Sequence, residues 1–303
     1  MATASEDGLT AASLFSCNGL VAVITGGSAG LGRMMAKALA RNGAARIYLL
    51  GRRLDVLEAA ARDIGHACGH SAMVLPIQAD VGDLDALRRA AARIDRETGY
   101  VNVVVANAGI EGPASWDVGP DTPLAEVQAR LLAAPMADFT HTLHVNTTAA
   151  FYTAVSMLHL LDAGNRLTNV PQSSQVIAVS SAAGFSRRIS AGFAYSASKA
   201  AVIHTWKQLA TFLAPYGIRA NVYAPGTHAV IDSDMSAPLL ASFPRQPDDR
   251  DSVARSEIPV GRAGTEDDVA GVILHMVSRA GAFLNGSVIL ADGGRTSITP
   301  AAY

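Results

Sequence analysis

In the stretch AYSASKAAV, residues 194–202, a tyrosine stands four places before a lysine, with only Ser196, Ala197 and Ser198 between them. On a helix, positions i and i+4 share a face. The Tyr195 phenol and the Lys199 ammonium are therefore expected to point the same way, and the small residues between leave room for a flat ligand. A free phenol titrates at about 10. A nearby ammonium favours the phenolate and is expected to pull that value down. A phenol tuned in this way can protonate a developing alkoxide and accept the proton in reverse.

A second group of residues supplies a place for phosphate. TGGSAGLG, residues 25–32, follows the apolar run LVAVIT and precedes a helical pattern. As a dinucleotide loop, Gly26, Ser28, Gly30, Leu31 and Gly32 would let the backbone turn tightly beside a pyrophosphate, with the N–H groups of the following helix aimed at it. A P-loop is excluded, because Arg33 and Met34 stand where Lys and Ser or Thr would be required. Gly26 to Gly30 also matches GxSxG, the nucleophile elbow of serine hydrolases. That elbow normally follows several strands and has no use for Gly32. An ordinary glycine-rich turn is the plain alternative. At the end of the next apolar run the residues are Leu50, Gly51, Arg52 and Arg53. NAD sites place a carboxylate there for the ribose 2′-OH. Two guanidinium groups suit a 2′-phosphate instead, which favours NADP(H). The alternative is a solvated helix start.

These groups need elements to hold them. Short continuous apolar runs recur at 20–25, 47–50, 73–79, 101–109, 175–181, 218–223 and 287–290. Helical patterns lie between them, including one long helix over 136–163 and another from Tyr195 to about Ala214. Strand and helix alternating about seven times predict an α/β fold, a doubly wound parallel sheet of Rossmann type with helices on both faces. Strands that are apolar throughout fit a sheet covered on both sides. Pro76 must sit where the ladder needs no donor. Thr265 and Asp268 can form a capping box at the last long helix. The reading is one domain over 18–303 behind a short extension, 1–17.

The 303 residues carry a net charge of -2 and are 50% hydrophobic. No basic field exists for a nucleic-acid backbone. No run approaches the ~20 apolar residues of a membrane span, and Glu6 and Asp7 stand where a signal peptide would carry positive charge. Cys17 and Cys68 have no CxxC spacing, so a reducing, cytoplasmic setting is expected. No metal site is read from the eight histidines.

Taken in order, the motifs resemble those of the short-chain dehydrogenase/reductase family, above all 3-oxoacyl-carrier-protein reductases and related fungal reductases. TGGSAGLG is similar to its glycine loop, and Asp80-Val81 to its adenine pair. Asn107-Ala108-Gly109 is similar to its NAG strand end, and Asn146 to its mid-helix asparagine. Ser181 to Gly184, Tyr195 to Lys199, and Asn221 to Pro225-Gly226 match its later motifs. The resemblance implies that hydride passes between NADPH and a ketone or secondary alcohol. It implies Tyr195 as proton donor, Ser181 on the carbonyl oxygen, Lys199 on the nicotinamide ribose, and Asn146 on a water linking Lys199 to solvent. Gly26, Ser28, Gly30, Leu31 and Gly32 would line the phosphates, and Arg52 with Arg53 would take the 2′-phosphate. Asp80 and Val81 would flank adenine, and Asn107, Ala108 and Gly109 would hold the adenosine end. Pro225, Gly226 and Thr227 would meet the nicotinamide, Thr227 at its carboxamide. Family habit implies a homo-oligomer, a dimer or homotetramer. Two departures stand out: an insertion at 111–135 with four prolines, and a lid at 227–251 whose Asp234-Met235 falls late. A scaffold reused for isomerase, cyclase or regulatory work would carry many of the same motifs, and a GxSxG hydrolase is the rival enzyme class.

Overall fold

The structure, a computed structural model, describes residues 6–68, 73–113, 118–119, 121–189, 191–228 and 249–302. Its sheet strands are β1 (Val21–Thr25), β2 (Arg46–Gly51), β3 (Met73–Gln78), β4 (Val103–Ala106), β5 (Gln175–Val179), β6 (Arg219–Pro225) and β7 (Val288–Ala291). They form one sheet in the order β3-β2-β1-β4-β5-β6-β7, every pair parallel. The described α-helices are α1 (Ala11–Leu14), α2 (Gly30–Arg41), α3 (Leu54–Cys68), α4 (Leu84–Glu97), α5 (Leu124–Ala133), α6 (Met136–Leu143), α7 (Ala149–Ser156), α8 (Leu158–Leu167), α9 (Phe193–Phe212), α10 (Glu266–Val277) and α11 (Arg295–Ile298). Strand order reverses between β1 and β4. A crevice at such a switch point, outside the carboxyl ends of the strands, is where open α/β sheets bind ligands.

Alternation along the strands sorts the core into two layers. Val21, Val23, Tyr48, Leu50, Val104 and Val176 pack on one face with residues of α4, α7, α8 and α9. Ala22, Ile24, Ile47, Leu49, Val105 and Ile177 pack on the other with α2, α3 and α10. Alanines of α4 and α7 in the first layer, and of α2 and α3 in the second, pack among larger aliphatic side chains. Trp206 of α9 is fully buried, and its indole N–H donates to the Val176 carbonyl at 3.2 Å. β3 is an edge strand, which explains how Pro76 is tolerated in register with Leu49. Thr265 caps α10 through the full box with Asp268.

One expectation is corrected. The single helix over 136–163 is four segments. α6 and α7 are joined by one π-helical stretch, His144–Thr148, and Met157 separates α7 from α8. The cause of the first break is Asn146, whose side chain is taken up by the backbone of a neighbouring segment, as described below. Within the insertion at 111–135, Leu124–Ala133 is helical, and none of these ten residues is buried. Trp116 and Pro120 lie outside the described residues. So does most of 227–251, including Asp234 and Met235. Among the described residues no helix is long and apolar enough to cross a membrane.

Candidate active site

Tyr195 lies in the first turn of α9 and Lys199 one turn on. Helical spacing brings the Lys199 Nζ to 5.5 Å from the centroid of the Tyr195 ring. The other partner comes from the end of β5. Ser180 is buried, and its hydroxyl donates to the Lys199 carbonyl at 2.8 Å. Ser181 points the opposite way; its hydroxyl accepts from the Ala183 N–H at 3.1 Å and, as a hydrogen-bond donor, favours the Tyr195 phenolate. Strand alternation thus puts one serine into the frame of α9 and the other into the site. Gly184 follows for want of space: a Cβ there would lie 2.9 Å from the Lys199 carbonyl carbon.

The electrostatics differ from the expectation. The Tyr195 phenol is pushed up from its ordinary value, by burial first, against the lowering effect of the Ser181 hydrogen bond; the charge of Glu111 adds to the rise. Lys199 is buried, and burial pushes its ammonium down to about 8. Its Nζ donates to the Val179 carbonyl at 2.9 Å rather than to the phenol. Desolvation disfavours both charged forms, and within the chain it outweighs the attraction between them.

Asn146 is buried in the π-helical stretch. Its Nδ2 donates to the Ile110 carbonyl at 2.8 Å and to Ser198 Oγ at 3.0 Å, while its Oδ1 accepts from the Ile110 N–H at 2.8 Å. Ser198 in turn donates to the Tyr195 carbonyl at 2.7 Å. The amide therefore pins the segment after β4 to the helix carrying Tyr195. Ser198 is a linking residue that spacing did not reveal. It was expected only to be small, and it faces the protein frame, not the ligand side.

The glycine loop joins β1 to α2. Gly26 and Gly30 have φ of +65° and +57°, and a Cβ on Gly32 would lie 2.3 Å from the Gly26 carbonyl oxygen. Ala29 gives α2 no side-chain cap, and its first turn has no acidic residue. Its leading N–H groups face outward with the positive end of the helix dipole, an arrangement that fits a phosphate. Asn107 braces this loop. Its Nδ2 donates to the carbonyls of Thr25 at 2.9 Å and Gly26 at 3.4 Å, and the Thr25 hydroxyl accepts from the N–H groups of Asn107 and Ala108. Gly109 sits where a Cβ would be 3.4 Å from the Lys199 Nζ. Arg52 and Arg53 are exposed at the end of β2 with no ion-pair partner among the described residues. Asp80 and Val81 follow β3, with Asp80 Oδ1 accepting from the Gly82 N–H at 2.9 Å. The glycine loop, the uncapped start of α2 and the two guanidinium groups are donor chemistry that suits phosphate. Gly32→Ala is expected to lose about 1–3 kcal/mol of stability by overpacking, read as a lower denaturant midpoint, because the clash is with backbone.

On the far side of the crevice, Pro225 ends β6. Gly226 is forced by Asp292, whose Cα a Cβ would meet at 2.5 Å. The Thr227 hydroxyl accepts from Arg295 Nη1 at 3.2 Å, and Arg295 reaches Glu257 at 3.8 Å. Arg295 gave no signal in the sequence. His228 is buried against the Gly226 carbonyl (3.1 Å) and the Tyr223 hydroxyl (3.4 Å). Burial holds its imidazole below the ordinary 6.5. The unfolded chain then binds a proton that the folded one resists, so stability is full above 6.5 and falls as pH drops below it, by up to about 1.4 kcal/mol per pH unit. Melting wild type and His228→Gln at neutral and at mildly acid pH should show a larger acid loss in the wild type.

Ser28 hydrogen-bonds no histidine among the described residues, so the elbow reading finds no base. His66 and His70 stand four apart in the sequence, and His70 lies outside the described residues. Among the described residues, no three His, Cys, Asp or Glu side chains are grouped to hold a metal.

Comparison with known proteins gives the family and the fold. The family model described as short chain dehydrogenase matches residues 20–242. The short-chain dehydrogenase/reductase PhomF of Diaporthe leptostromiformis is 44% identical over 304 residues, spanning all of both chains. The rhamnolipids biosynthesis 3-oxoacyl-[acyl-carrier-protein] reductase of Pseudomonas aeruginosa is 30% identical, covering 92% of this chain and 97% of its own. The solved RhlG/NADP active-site complex of Pseudomonas aeruginosa superposes with a TM-score of 0.75 at 28% identity, over 93% of this chain and 98% of that one.

Proposed function

The chain belongs to the short-chain dehydrogenase/reductase family, and from that premise we propose that it is an NADP(H)-dependent reductase of a ketone, or dehydrogenase of the matching secondary alcohol. The observation that carries the reading is the Lys199 ammonium 5.5 Å from the centroid of the Tyr195 ring, one helical turn on, with Ser181 at the end of β5 and the glycine loop with its positive-φ turn. When bound, NADPH would supply the hydride. The Ser181 hydroxyl donates a hydrogen bond to the carbonyl oxygen, where negative charge grows as hydride arrives. The Tyr195 phenol, kept protonated by burial, gives its proton to that oxygen. In the alcohol direction the same burial makes the phenolate scarce near neutral pH, so oxidation is favoured by alkali.

Lys199 serves the ribose and the proton path, and Asn146 orders the segment beside it. Gly26, Ser28, Gly30, Leu31 and Gly32 hold the pyrophosphate, with Asn107, Ala108 and Gly109 bracing them. Arg52 and Arg53 meet the 2′-phosphate, Asp80 and Val81 the adenine, and Pro225, Gly226 and Thr227 the nicotinamide. A relative solved with NADP supports the cofactor choice. We assign these roles to one catalytic domain, 18–303, working as a homo-oligomer. The test is direct: purified protein with NADPH and a panel of ketones should lose absorbance at the nicotinamide band. Stable absorbance with every ketone, despite bound NADPH, would instead favour a repurposed scaffold.

A further inference from the structure

The turn after β6 is framed by the last segment of the chain. Val179 of β5 is in register with Tyr223 of β6, so Thr227 leaves the sheet beside the strand end that carries Ser181. The Gly226 N–H donates to the Ala291 carbonyl at 2.8 Å, and the backbone of Gly226 lies directly against Asp292. Asp292 then turns the chain. Its carboxylate accepts from the Gly294 N–H at 2.9 Å and the Thr296 N–H at 2.7 Å, with Gly293 and Gly294 at φ of +62° and +87°. α11 starts there. Past it, the Arg187 N–H donates to the Pro300 carbonyl and the Ala302 N–H to the Phe185 carbonyl, both at 2.8 Å. α11 is thus tied to the turn after β6 at one end and to the chain just past Ser181 at the other.

Within this frame one contact has a fixed direction. Arg295 Nη1 lies 3.2 Å from Thr227 Oγ1. A guanidinium has donors and no acceptor, so the hydroxyl accepts there. The hydroxyl's own proton meets no acceptor among the described residues. Glu257 stands farther from Arg295, at 3.8 Å, and is shared with Arg188 at 3.4 Å.

We infer that Arg295 is a positioning residue for the nicotinamide: by taking the acceptor side of the Thr227 hydroxyl, it commits that hydroxyl to donate, and so to hold the carboxamide by its oxygen instead of its NH2. This rests on the reading above that Thr227 meets the nicotinamide, and it adds a residue that lies outside every motif. A free hydroxyl rotates to serve as donor or acceptor. One that accepts from a cation is polarised into a better donor.

The experiment measures Kd by calorimetry for oxidised NADP and two analogues of it. The 3-acetylpyridine analogue keeps the oxygen and replaces NH2 with methyl; the thionicotinamide analogue keeps NH2 and replaces the oxygen with sulfur, a weak acceptor. Wild type is expected to bind the acetylpyridine analogue within about threefold of NADP and the thio analogue about tenfold more weakly. In Arg295→Met the hydroxyl is free to turn and accept from NH2, so the thio penalty should shrink to within about twofold. Arg295→Lys, which keeps a cationic donor, should keep the penalty, and Thr227→Val should abolish it. A general loosening of α11 would weaken all three ligands together and leave their ratios unchanged. With Thr227→Val already present, adding Arg295→Met should alter no ratio by more than about twofold. The inference is overturned by a thio penalty that is absent from the wild type or persists in Arg295→Met, by weak binding of the acetylpyridine analogue to the wild type, or by an Arg295 effect on the ratios that survives loss of the Thr227 hydroxyl. Ketone turnover with NADPH is followed separately. The expected ratios without turnover would sink the reductase reading and leave Arg295 in its role; turnover with a thio penalty that ignores Arg295 would do the reverse.

Discussion

Tyr195→Phe is expected to lower kcat for ketone reduction by about 100- to 10,000-fold, the usual contribution of a positioned general acid, while the Kd for NADPH stays within about threefold of wild type. The substitution removes one oxygen. It leaves the ring over which the Lys199 ammonium lies, the donation from Lys199 to Val179, and the Asn146–Ser198 link to the Tyr195 backbone. None of those contacts uses the phenol hydroxyl, so the cofactor side should hold its shape. The Ser181 hydroxyl keeps the Ala183 N–H as its donor and remains able to donate to the carbonyl oxygen. Residual activity should therefore come from Ser181 and from orientation alone. Single-turnover measurement of NADPH oxidation reads the chemical step. A rate close to wild type would remove Tyr195 as the proton donor, whatever else the site does.

The upward displacement of the phenol gives that result a pH signature. Wild-type reduction should persist through neutral pH, because the phenol stays protonated there. Lys199, brought down to about 8 by burial, is the group in the site whose charge changes nearest that range. Loss of its ammonium above that value should weaken ribose binding before the phenol ionises, so KM for NADPH should rise at alkaline pH earlier than kcat falls.

Much of this frame was legible in the sequence because it depends on local rules. The continuous apolar runs became the seven strands. The i, i+4 spacing of Tyr195 and Lys199 became a shared helical face. The choice of Ser181 over Ser180 rested on the register of the Ser181–Gly184 motif, strand alternation saying only that the two face opposite ways, and the Ser180 hydroxyl is spent on the Lys199 backbone. The Thr265–Asp268 box is a three-residue pattern and formed as written. What was not legible depends on tertiary placement. Nothing in HVNTT announces a π-helical stretch. It follows from the Asn146 side chain meeting the backbone of Ile110, 36 residues back. The direction of the Tyr195 shift turns on burial, which spacing to Lys199 does not report. Ser198 and Arg295 carry no motif, since each matters only for what lies opposite it. The arginines after β2 are the intermediate case. Their types could be read directly, but their freedom from ion pairs could not.

That freedom sets the last expected result. Arg52→Ala should raise the Kd for NADPH by about 10- to 100-fold, the worth of one to two charge-assisted hydrogen bonds, and change the Kd for NADH by less than about threefold. Arg52 and Arg53 are exposed at the carboxyl end of β2, one strand from the glycine loop, and no described carboxylate neutralises them. The Arg52 carbonyl accepts from Gln78 Nε2 at 2.9 Å, a backbone contact that alanine keeps. The substitution therefore removes the guanidinium without loosening the strand end. A guanidinium matches a phosphate with paired donors in one plane, which an ammonium cannot reproduce. Arg52→Lys should consequently recover only part of the loss. Fluorescence titration of both cofactors against wild type, Arg52→Ala, Arg53→Ala and the double variant separates the two arginines. Both affinities falling equally would mean that the guanidinium groups serve the loop or the general field, and the preference for a phosphorylated ribose would have no physical basis in this chain.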